Sequence, residues 1–112
     1  MSTAKEWIEI CATAEVPDGE IRQKQLPGGH EVAIYQIDGE YFVTDDTCTH
    51  EDASLSEDGD LDGYEVECSW HFGRFDVRTG AACAMPCEHA LRTWPVKVED
   101  GKVLIEVSTE QA

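Results

Sequence analysis

Apolar and polar residues alternate with a period of two in several short segments of the chain. Tyr64, Val66 and Cys68, for example, alternate with Glu65 and Glu67. Successive side chains of a β-strand point to opposite faces, so this period predicts strands with one buried and one exposed face. Two later segments show the same period, with apolar positions at Trp94, Val96 and Val98 and at Val103, Ile105 and Val107.

Two dipeptides mark tight turns between such segments. Asp38-Gly39 separates EVAIYQI from EYFVTD, and Asp100-Gly101 separates WPVKVE from KVLIEV. Asp-Gly between apolar runs is typical of a two-residue β-hairpin turn. A helical period is not sustained anywhere, apart from one short turn near Cys11 to Glu15. The pattern therefore predicts an all-β fold.

The chain of 112 residues has the length of one domain, and we expect a single domain over residues 1–112. Four of its five cysteines and three of its four histidines lie between about residues 45 and 89. Apolar alternation resumes at about Leu91. We therefore expect a ligand-bearing subdomain, at about 45–89, inserted into a β framework.

The charge balance narrows the range of partners. Twenty-four acidic side chains against eight basic ones give a formal net charge of -16. Such a charge repels nucleic acid and anionic membranes and attracts basic protein surfaces, although it also serves solubility alone. The first ten residues contain no apolar run that would form a signal peptide or a membrane span. We therefore expect a cytoplasmic protein, whose clustered Cys and His are metal ligands rather than disulfide partners.

The candidate ligands form two similar pairs. Cys48 and His50 are separated by one residue, and Cys68 and His71 by two. A tetrahedral zinc site could use these four residues, but its usual spacings leave two to four residues between paired cysteines and three to five between paired histidines. In a Rieske [2Fe–2S] cluster, two cysteines bind one iron and two histidines bind the other, which fits these pairs better.

With these residues in view, the chain resembles the Rieske-type [2Fe–2S] ferredoxins of bacterial ring-hydroxylating dioxygenase systems, such as those for biphenyl and toluene. The resemblance extends over most of the chain from Val16 onward. It rests on VPDGE, on DGEYFVTDDTCTHEDASLSEDGDLDGYEVECSWHFGRFDVRTG and on PCEHALRTWPVKVEDGKVLIEV. It implies an antiparallel β-sandwich of three small sheets with an inserted cluster-binding subdomain.

The same resemblance implies a function. A protein of this kind is not an enzyme but carries single electrons from an NADH-dependent flavoprotein reductase to a terminal oxygenase that has its own Rieske cluster. It implies one [2Fe–2S] cluster, bound by Cys48, His50, Cys68 and His71. Two alternatives remain: a small Rieske-type subunit of another redox enzyme, such as assimilatory nitrite reductase, and a zinc-stabilised interaction module.

The ligand set and its surroundings also bear on the redox potential. Two neutral imidazoles leave the cluster less negative than four thiolates would, which raises its potential above that of all-cysteine ferredoxins. High-potential Rieske proteins carry an extra disulfide and hydroxyl donors to the cluster, whereas this chain has Gly73 and Phe75 where the resemblance would put the hydroxyls. With the net charge of -16, this predicts a low-potential cluster, at roughly -150 mV. The iron bound by His50 and His71 is expected to be the reducible one.

Three cysteines are left outside the ligand set. We expect Cys83 and Cys87 to be free thiols. Cys87 stands beside Pro86, as in the loop that covers the cluster in similar ferredoxins, while Cys83 has no evident role. Cys11 is expected in the core.

Several other residues allow a functional and a simpler interpretation. Trp70 and Phe72 could shield the cluster or touch a partner, or simply pack within their own segment. Glu51 and Asp52 could serve docking or only solvation. His30 and His89 are not needed for the ligand set, and His30 is expected at the surface.

Overall fold

The computed structural model describes residues 5–26, 29–46, 54–68, 74–84 and 91–108, with only the backbone for Lys5, Asp58, Cys68, Cys83, Ala84 and Ser108. These residues form eleven strands, one short α-helix and one 3-10 turn. The elements are β1 (Lys5–Ala12), the 3-10 turn (Thr13–Glu15), β2 (Ile21–Gln25), β3 (Glu31–Ile37), β4 (Glu40–Asp45), α1 (Leu55–Asp58), β5 (Gly59–Asp62), β6 (Glu65–Cys68), β7 (Arg74–Asp76), β8 (Ala82–Ala84), β9 (Thr93–Trp94), β10 (Val96–Glu99) and β11 (Lys102–Ser108).

The strands form three antiparallel sheets, in the orders β1-β11-β10, β2-β3-β4-β9 and β5-β6-β7-β8. The predicted all-β class is therefore confirmed, and both predicted hairpins are present. Asp38 and Gly39 have φ values of 52° and 83°, and Asp100 and Gly101 have 51° and 74°. Positive φ at both central residues matches the right-handed twist of the strands, which is why Asp-Gly predicts these turns so well.

The central sheet, β2-β3-β4-β9, separates two hydrophobic cores. In the first core, Val32 and Ile34 of β3 pack with Val103 and Ile105 of β11. In the second core, Ala33 and Tyr35 pack with residues of the third sheet and its flanking segments: Leu55, Val66, Phe75, Val77 and Leu91. Because both faces of β3 are covered, its residues 32–35 are all apolar or aromatic and fully buried.

The third sheet lies within a long insertion. β4 pairs with β9 through Val43 and Trp94, and Thr44 pairs with Thr93, so the chain leaves the central sheet after Asp45 and returns at Thr93. α1 and the whole of the third sheet lie between these two points in sequence. The boundaries of the predicted subdomain, about 45–89, remain a prediction.

The expectation of one continuous strand from Trp94 to Val98 was wrong. Trp94 belongs to the central sheet, whereas Val96–Glu99 pairs with β11 in the first sheet. Pro95 lies between the two, and because proline lacks a backbone N–H it interrupts a ladder at such a transition. Val98 is consequently 47% exposed, although its alternation with Lys97 predicted a buried position. The predicted alternation of Val103, Ile105 and Val107 is confirmed.

The sequence predicted one of the two helical turns and missed the other. The 3-10 turn at Thr13–Glu15 falls where the sequence indicated a short turn. α1 was not predicted, because four residues are too few to show a 3.6-residue period. Ser54 begins this helix, and its hydroxyl accepts a hydrogen bond from the Glu57 N–H at 3.3 Å. Within the described residues, no helix is long and apolar enough to cross a membrane.

Cys11 lies in the first core as predicted, 4% exposed and without a disulfide partner. Burial raises the pKa of its thiol to about 11. At pH 8 only roughly one molecule in a thousand would therefore carry the reactive thiolate. We expect Cys11 to resist iodoacetamide in the folded protein and to react fully in urea, as peptide mapping by mass spectrometry would show. Rapid labelling of Cys11 in the folded protein would contradict its burial.

Candidate metal centre

The structure describes only one of the four predicted ligands, and that one only in its backbone. Cys48, His50 and His71 lie outside them, and Cys68 is the last residue of β6, with only its backbone described. Among the described residues, no three Cys, His, Asp or Glu side chains are grouped so that they could hold a metal ion. The ligand assignment therefore remains a prediction, and the structure shows how the chain around the ligands is held.

Asp46 precedes the first ligand segment, which we define as residues 47–53, and bonds to the residues that follow it. Its backbone C=O accepts a hydrogen bond from the Leu55 N–H at 2.7 Å. Its carboxylate accepts from the Ser54 hydroxyl at 2.6 Å, from the Ser56 N–H at 2.8 Å and from the Gln23 amide at 2.7 Å. The residues on both sides of the segment are thereby joined to each other and, through Gln23, to β2 of the central sheet.

The Asp46 carboxylate is a buried charge, 2% exposed, and it is well satisfied. Burial by itself raises the pKa of this group, but the hydrogen bonds from Ser54, Gln23 and Ser56 outweigh burial and hold the pKa below its ordinary value. Three donors aimed at this carboxylate favour its ionised form. Asp46 is therefore a fixed anchor at the start of the first ligand segment.

A continuous hydrogen-bonded path joins this anchor to the second predicted cysteine. The Leu55 N–H is bonded to Asp46, and the Leu55 C=O accepts from the N–H of Gly59. Gly59 is the antiparallel partner of Cys68. Asp46 precedes Cys48 by two residues in the sequence, so the chain enters the first ligand segment near the end of β6 that carries Cys68.

The second ligand segment, residues 69–73, is bracketed by a β-pairing. Glu67 of β6 pairs with Arg74 of β7, and Val66 pairs with Phe75. Phe75 is fully buried against Val66 and Leu55, so the inner face of this hairpin is anchored in the second core. The chain therefore leaves the sheet just after Cys68 and re-enters it three residues after His71.

A third segment, residues 85–90, carries Pro86, Cys87 and His89. Backbone hydrogen bonds, which we call the third closure, hold the residues that follow it. Leu91, which follows this segment, donates its N–H to the Gly80 C=O at 2.7 Å, and the Asp45 N–H donates to the Arg92 C=O at 3.0 Å. Gly80 has φ +81°, and a Cβ at this position would lie 2.1 Å from the Leu91 oxygen. Only glycine allows this contact. Cys87 and His89 themselves lie outside the described residues.

His30 is closer to the ligand segments than its place in the sequence indicated. Its ring is half-exposed, as expected, but its Nε2 lies 2.6 Å from the Asp45 carboxylate. The ring centroid also lies 5.6 Å from that of Trp94, over which the Arg92 guanidinium is placed at 4.5 Å. His30 therefore packs against the residues that begin and end the insertion. PGGHEV contains no signal for this contact.

The outer face of the third sheet is strongly acidic. Asp60 is paired with Glu67, Asp62 with Glu65, and Glu65 with Asp76, so these carboxylates share one face. Arg74 lies among them and bonds to Asp62, Glu65 and Glu67. Arg78, at the end of the sheet, holds Asp76. Part of the negative charge expected from composition therefore lies on the sheet whose strand β6 ends at Cys68.

The other functional residues proposed from sequence lie outside the described residues. This group comprises Glu51, Asp52, Trp70 and Phe72. For Cys83, β8 gives the backbone position only. Sequence reasoning missed Asp46, Arg74 and Gly80, because TDD, GRF and TG look like ordinary surface and turn residues.

The donor chemistry fits a [2Fe–2S] group. Two thiolates and two imidazoles make up the mixed ligand set of a Rieske centre. The hydrogen bonds of Asp46 and the Glu67–Arg74 pair hold the residues that flank the two ligand segments. The family model of the Rieske [2Fe–2S] domain matches residues 6–95, in agreement with this fold. The chain belongs to the Rieske [2Fe–2S] family.

Its relatives are electron-carrying ferredoxins. It is 65% identical, over 89% of its length and 85% of the relative's, to the ferredoxin component of the p-cumate 2,3-dioxygenase system of Pseudomonas putida. It is 46% identical, over 91% of its length and 93% of the relative's, to the biphenyl dioxygenase ferredoxin subunit of Pseudomonas sp. strain KKS102.

The solved structures give the same result. The ferredoxin of Sphingomonas yanoikuyae B1 superposes with a TM-score of 0.85 at 43% identity, covering 91% of this chain and 99% of that one. A chain in a complex of reduced oxygenase and oxidized ferredoxin of carbazole 1,9a-dioxygenase superposes with a TM-score of 0.82 at 39% identity, covering 88% and 91%. The predicted three-sheet Rieske fold, the [2Fe–2S] cofactor and the electron-carrier role without catalysis are confirmed.

Proposed function

We propose that this chain carries single electrons from an NADH-dependent flavoprotein reductase to a terminal ring-hydroxylating oxygenase that has its own Rieske cluster. Its cluster would be bound by Cys48 and Cys68 on one iron and by His50 and His71 on the other. The observation that carries the proposal is the 65% identity, over 89% of the chain, to a dioxygenase-system ferredoxin. These relatives favour this role over that of a nitrite reductase subunit.

A [2Fe–2S] cluster, when bound, supplies one-electron redox chemistry, and the chain tunes its potential. Phe75, where a hydroxyl donor would stand in high-potential relatives, is fully buried in the second core and has no polar hydrogen to donate. The acidic face on the third sheet adds negative charge near the end of β6. Both features favour the oxidised form and support a potential at the low end of the Rieske range.

The partner and its substrate class follow from the relatives. A 39% identical ferredoxin chain forms a complex with its terminal oxygenase, which supports direct docking of this chain on an oxygenase as well. Identity falls from 65% for the p-cumate system to 46% and 42% for biphenyl and naphthalene systems. We therefore propose an oxygenase of the p-cumate type as the partner, in the cytoplasm, where NADH is available.

The test begins with anaerobically purified protein reduced by dithionite. A red-brown protein with a rhombic EPR signal of average g near about 1.9 is expected for mixed Cys/His ligation. The protein is then mixed with NADH, a reductase and, in parallel, p-cumate, biphenyl and naphthalene oxygenases. Product should form fastest with the p-cumate oxygenase. Reduction by the reductase without turnover of any oxygenase would overturn the proposed partner, and a colourless zinc protein would overturn the cluster.

The ligand assignment predicts a clear division among substitutions. Replacing Cys68 or His71 with alanine should abolish the visible absorption of the cluster, because each removes one of four bonds to iron. Cys83→Ala and His89→Ala are matched controls within the same part of the chain and should retain the full absorption. Iron content and the visible spectrum of each purified variant provide the measurement. A loaded Cys68→Ala variant or an empty Cys83→Ala variant would refute the assignment.

A further inference from the structure

The third sheet carries an arrangement of charge that opposes its own folding. In the β5–β6 hairpin, Asp60 stands directly opposite Glu67 and Asp62 directly opposite Glu65. Like charges at directly opposed positions of an antiparallel pair destabilise the pair. On the β7 side, Glu65 again faces an acid, Asp76. A sheet with this register needs a cation on the same face.

Arg74 provides this cation. It starts β7, and its guanidinium extends over β6 as far as β5. Nη1 lies 2.9 Å from the Asp62 carboxylate and 3.3 Å from that of Glu65, while Nη2 lies 3.1 Å and Nε 3.2 Å from that of Glu67. One guanidinium, 30% exposed, therefore links three carboxylates on two strands. The planar group with five donors suits this geometry, which an ammonium group could not reproduce.

The position of Arg74 in the chain gives this network a further consequence. Arg74 is the backbone partner of Glu67, and the second ligand segment lies between these two residues. Cys68 follows Glu67 directly, and His71 precedes Arg74 by three residues. Without Arg74, the ion pairs that join β7 to Glu65 and Glu67 of β6 would be lost, and unneutralised carboxylates would remain beside the point where the second ligand segment begins.

We propose that Arg74 is a positioning residue for the second ligand pair, because it neutralises the carboxylates around it and so keeps β6 and β7 paired at both ends of the segment that carries His71. The proposal rests on the ligand assignment made above. Arg74 would act through charge, without binding the cluster itself. Loss of Arg74 should therefore speed up the release of the cluster, and the size of this effect should depend on ionic strength.

The test uses the cluster-loaded full chain and follows the loss of visible absorption in the presence of an iron chelator. At low salt, Arg74→Gln should lose its cluster about fivefold faster than the wild type, the effect of leaving two like-charge pairs without a cation. At about 1 M salt, where the Debye length is about 3 Å, the difference should largely disappear. Arg74→Lys should lie between the two, since a point charge reaches fewer of the carboxylates.

Two further variants separate charge from packing. Asp62→Asn and Glu67→Gln, combined with Arg74→Gln, remove one carboxylate from each of the two like-charge pairs and should restore the wild-type rate of cluster loss. Arg78→Gln is the matched control, because Arg78 forms an ion pair with Asp76, at the end of β7 away from the second ligand segment. This variant should keep its cluster like the wild type. The EPR spectrum should be of the mixed-ligand type in every loaded variant.

The outcomes that overturn the proposal are distinct from those that overturn the ligand assignment. A wild-type rate of cluster loss in Arg74→Gln at low salt, or a faster rate that neither salt nor the triple variant corrects, would show that Arg74 does not act by neutralisation. If Arg74→Gln yields no folded protein, the triple variant decides: recovery of a loaded protein supports the proposal and failure overturns it. The ligand assignment fails separately, if Cys68→Ala remains loaded.

Discussion

Replacing Gly80 with alanine is expected to lower the free energy of unfolding by about 3 kcal/mol. Two costs combine at this position. With φ at +81°, an alanine would be forced into the left-handed region, and its Cβ would lie 2.1 Å from the Leu91 oxygen and 3.1 Å from the Leu91 carbonyl carbon. Backbone atoms cannot move aside as a flexible side chain can. Leu91, which is 3% exposed in the second core, would therefore be displaced.

Gly19→Ala is the matched control for this prediction. Gly19 has a nearly identical φ of +79°, but no atom lies within 4 Å of the Cβ that alanine would add. It should therefore show the conformational cost alone, about 1 kcal/mol. Thermal unfolding of the loaded proteins, followed by far-UV circular dichroism, should give a midpoint lowered by about 10 °C or more for Gly80→Ala and by a few degrees for Gly19→Ala. Equal shifts would show that the contact with Leu91 costs nothing.

Replacing Asp46 with alanine is the second change with a large expected effect. It would remove the acceptor of three hydrogen bonds at once and leave the Gln23 amide, the Ser54 hydroxyl and the Ser56 N–H without their partner. Three hydrogen bonds to a charged carboxylate would be lost together, which should cost about 3 to 5 kcal/mol. Domains of this size have only roughly 5 to 15 kcal/mol in total, so the variant should be close to unfolding at 37 °C.

Asp45→Asn is the matched control, with the same change of charge one residue earlier. Asp45 is bonded to His30 at the surface, and an exposed pair of this kind contributes at most about 1 kcal/mol. Asp46→Ala should also release its cluster faster than Asp45→Asn, because only the backbone hydrogen bond from the Leu55 N–H would still join the residues on both sides of the first ligand segment. Urea unfolding and chelator-driven loss of absorption would measure the two effects. Similar values for the two variants would rule out Asp46 as the anchor.

The sequence predicted best what depends on neighbours in the chain. The turns at Asp38-Gly39 and Asp100-Gly101 need only two residues with positive φ between apolar strands, and both occur as predicted. The alternation of Val103 and Ile105 with Leu104 showed the buried face of β11 directly. The family could be recognised because its ligand residues are reactive types at fixed short spacings, a pattern that survives changes elsewhere in the chain.

Prediction was weaker where the environment of a residue depends on distant parts of the chain. Trp94 and Val98 alternate as if on one strand, yet Pro95 transfers the chain from the central sheet to the first sheet, where β10 forms an edge. Nothing in the local pattern indicates which sheet receives a segment. His30, similarly, looked remote from the ligands until the pairing of β3 with β4 placed it against Asp45.

The sequence by itself determined the all-β class, the hairpins, the net charge and the two Cys/His pairs, because each follows from residue type and local spacing. Only the tertiary structure decided that Asp46 anchors the first ligand segment, that Gly80 must be glycine and that Arg74 serves three carboxylates. The partners of Asp46 and Arg74 lie up to 23 residues away, and Gly80 meets Leu91 across the third closure. Such contacts arise when strands pair and cores pack, and no short pattern in the chain encodes them.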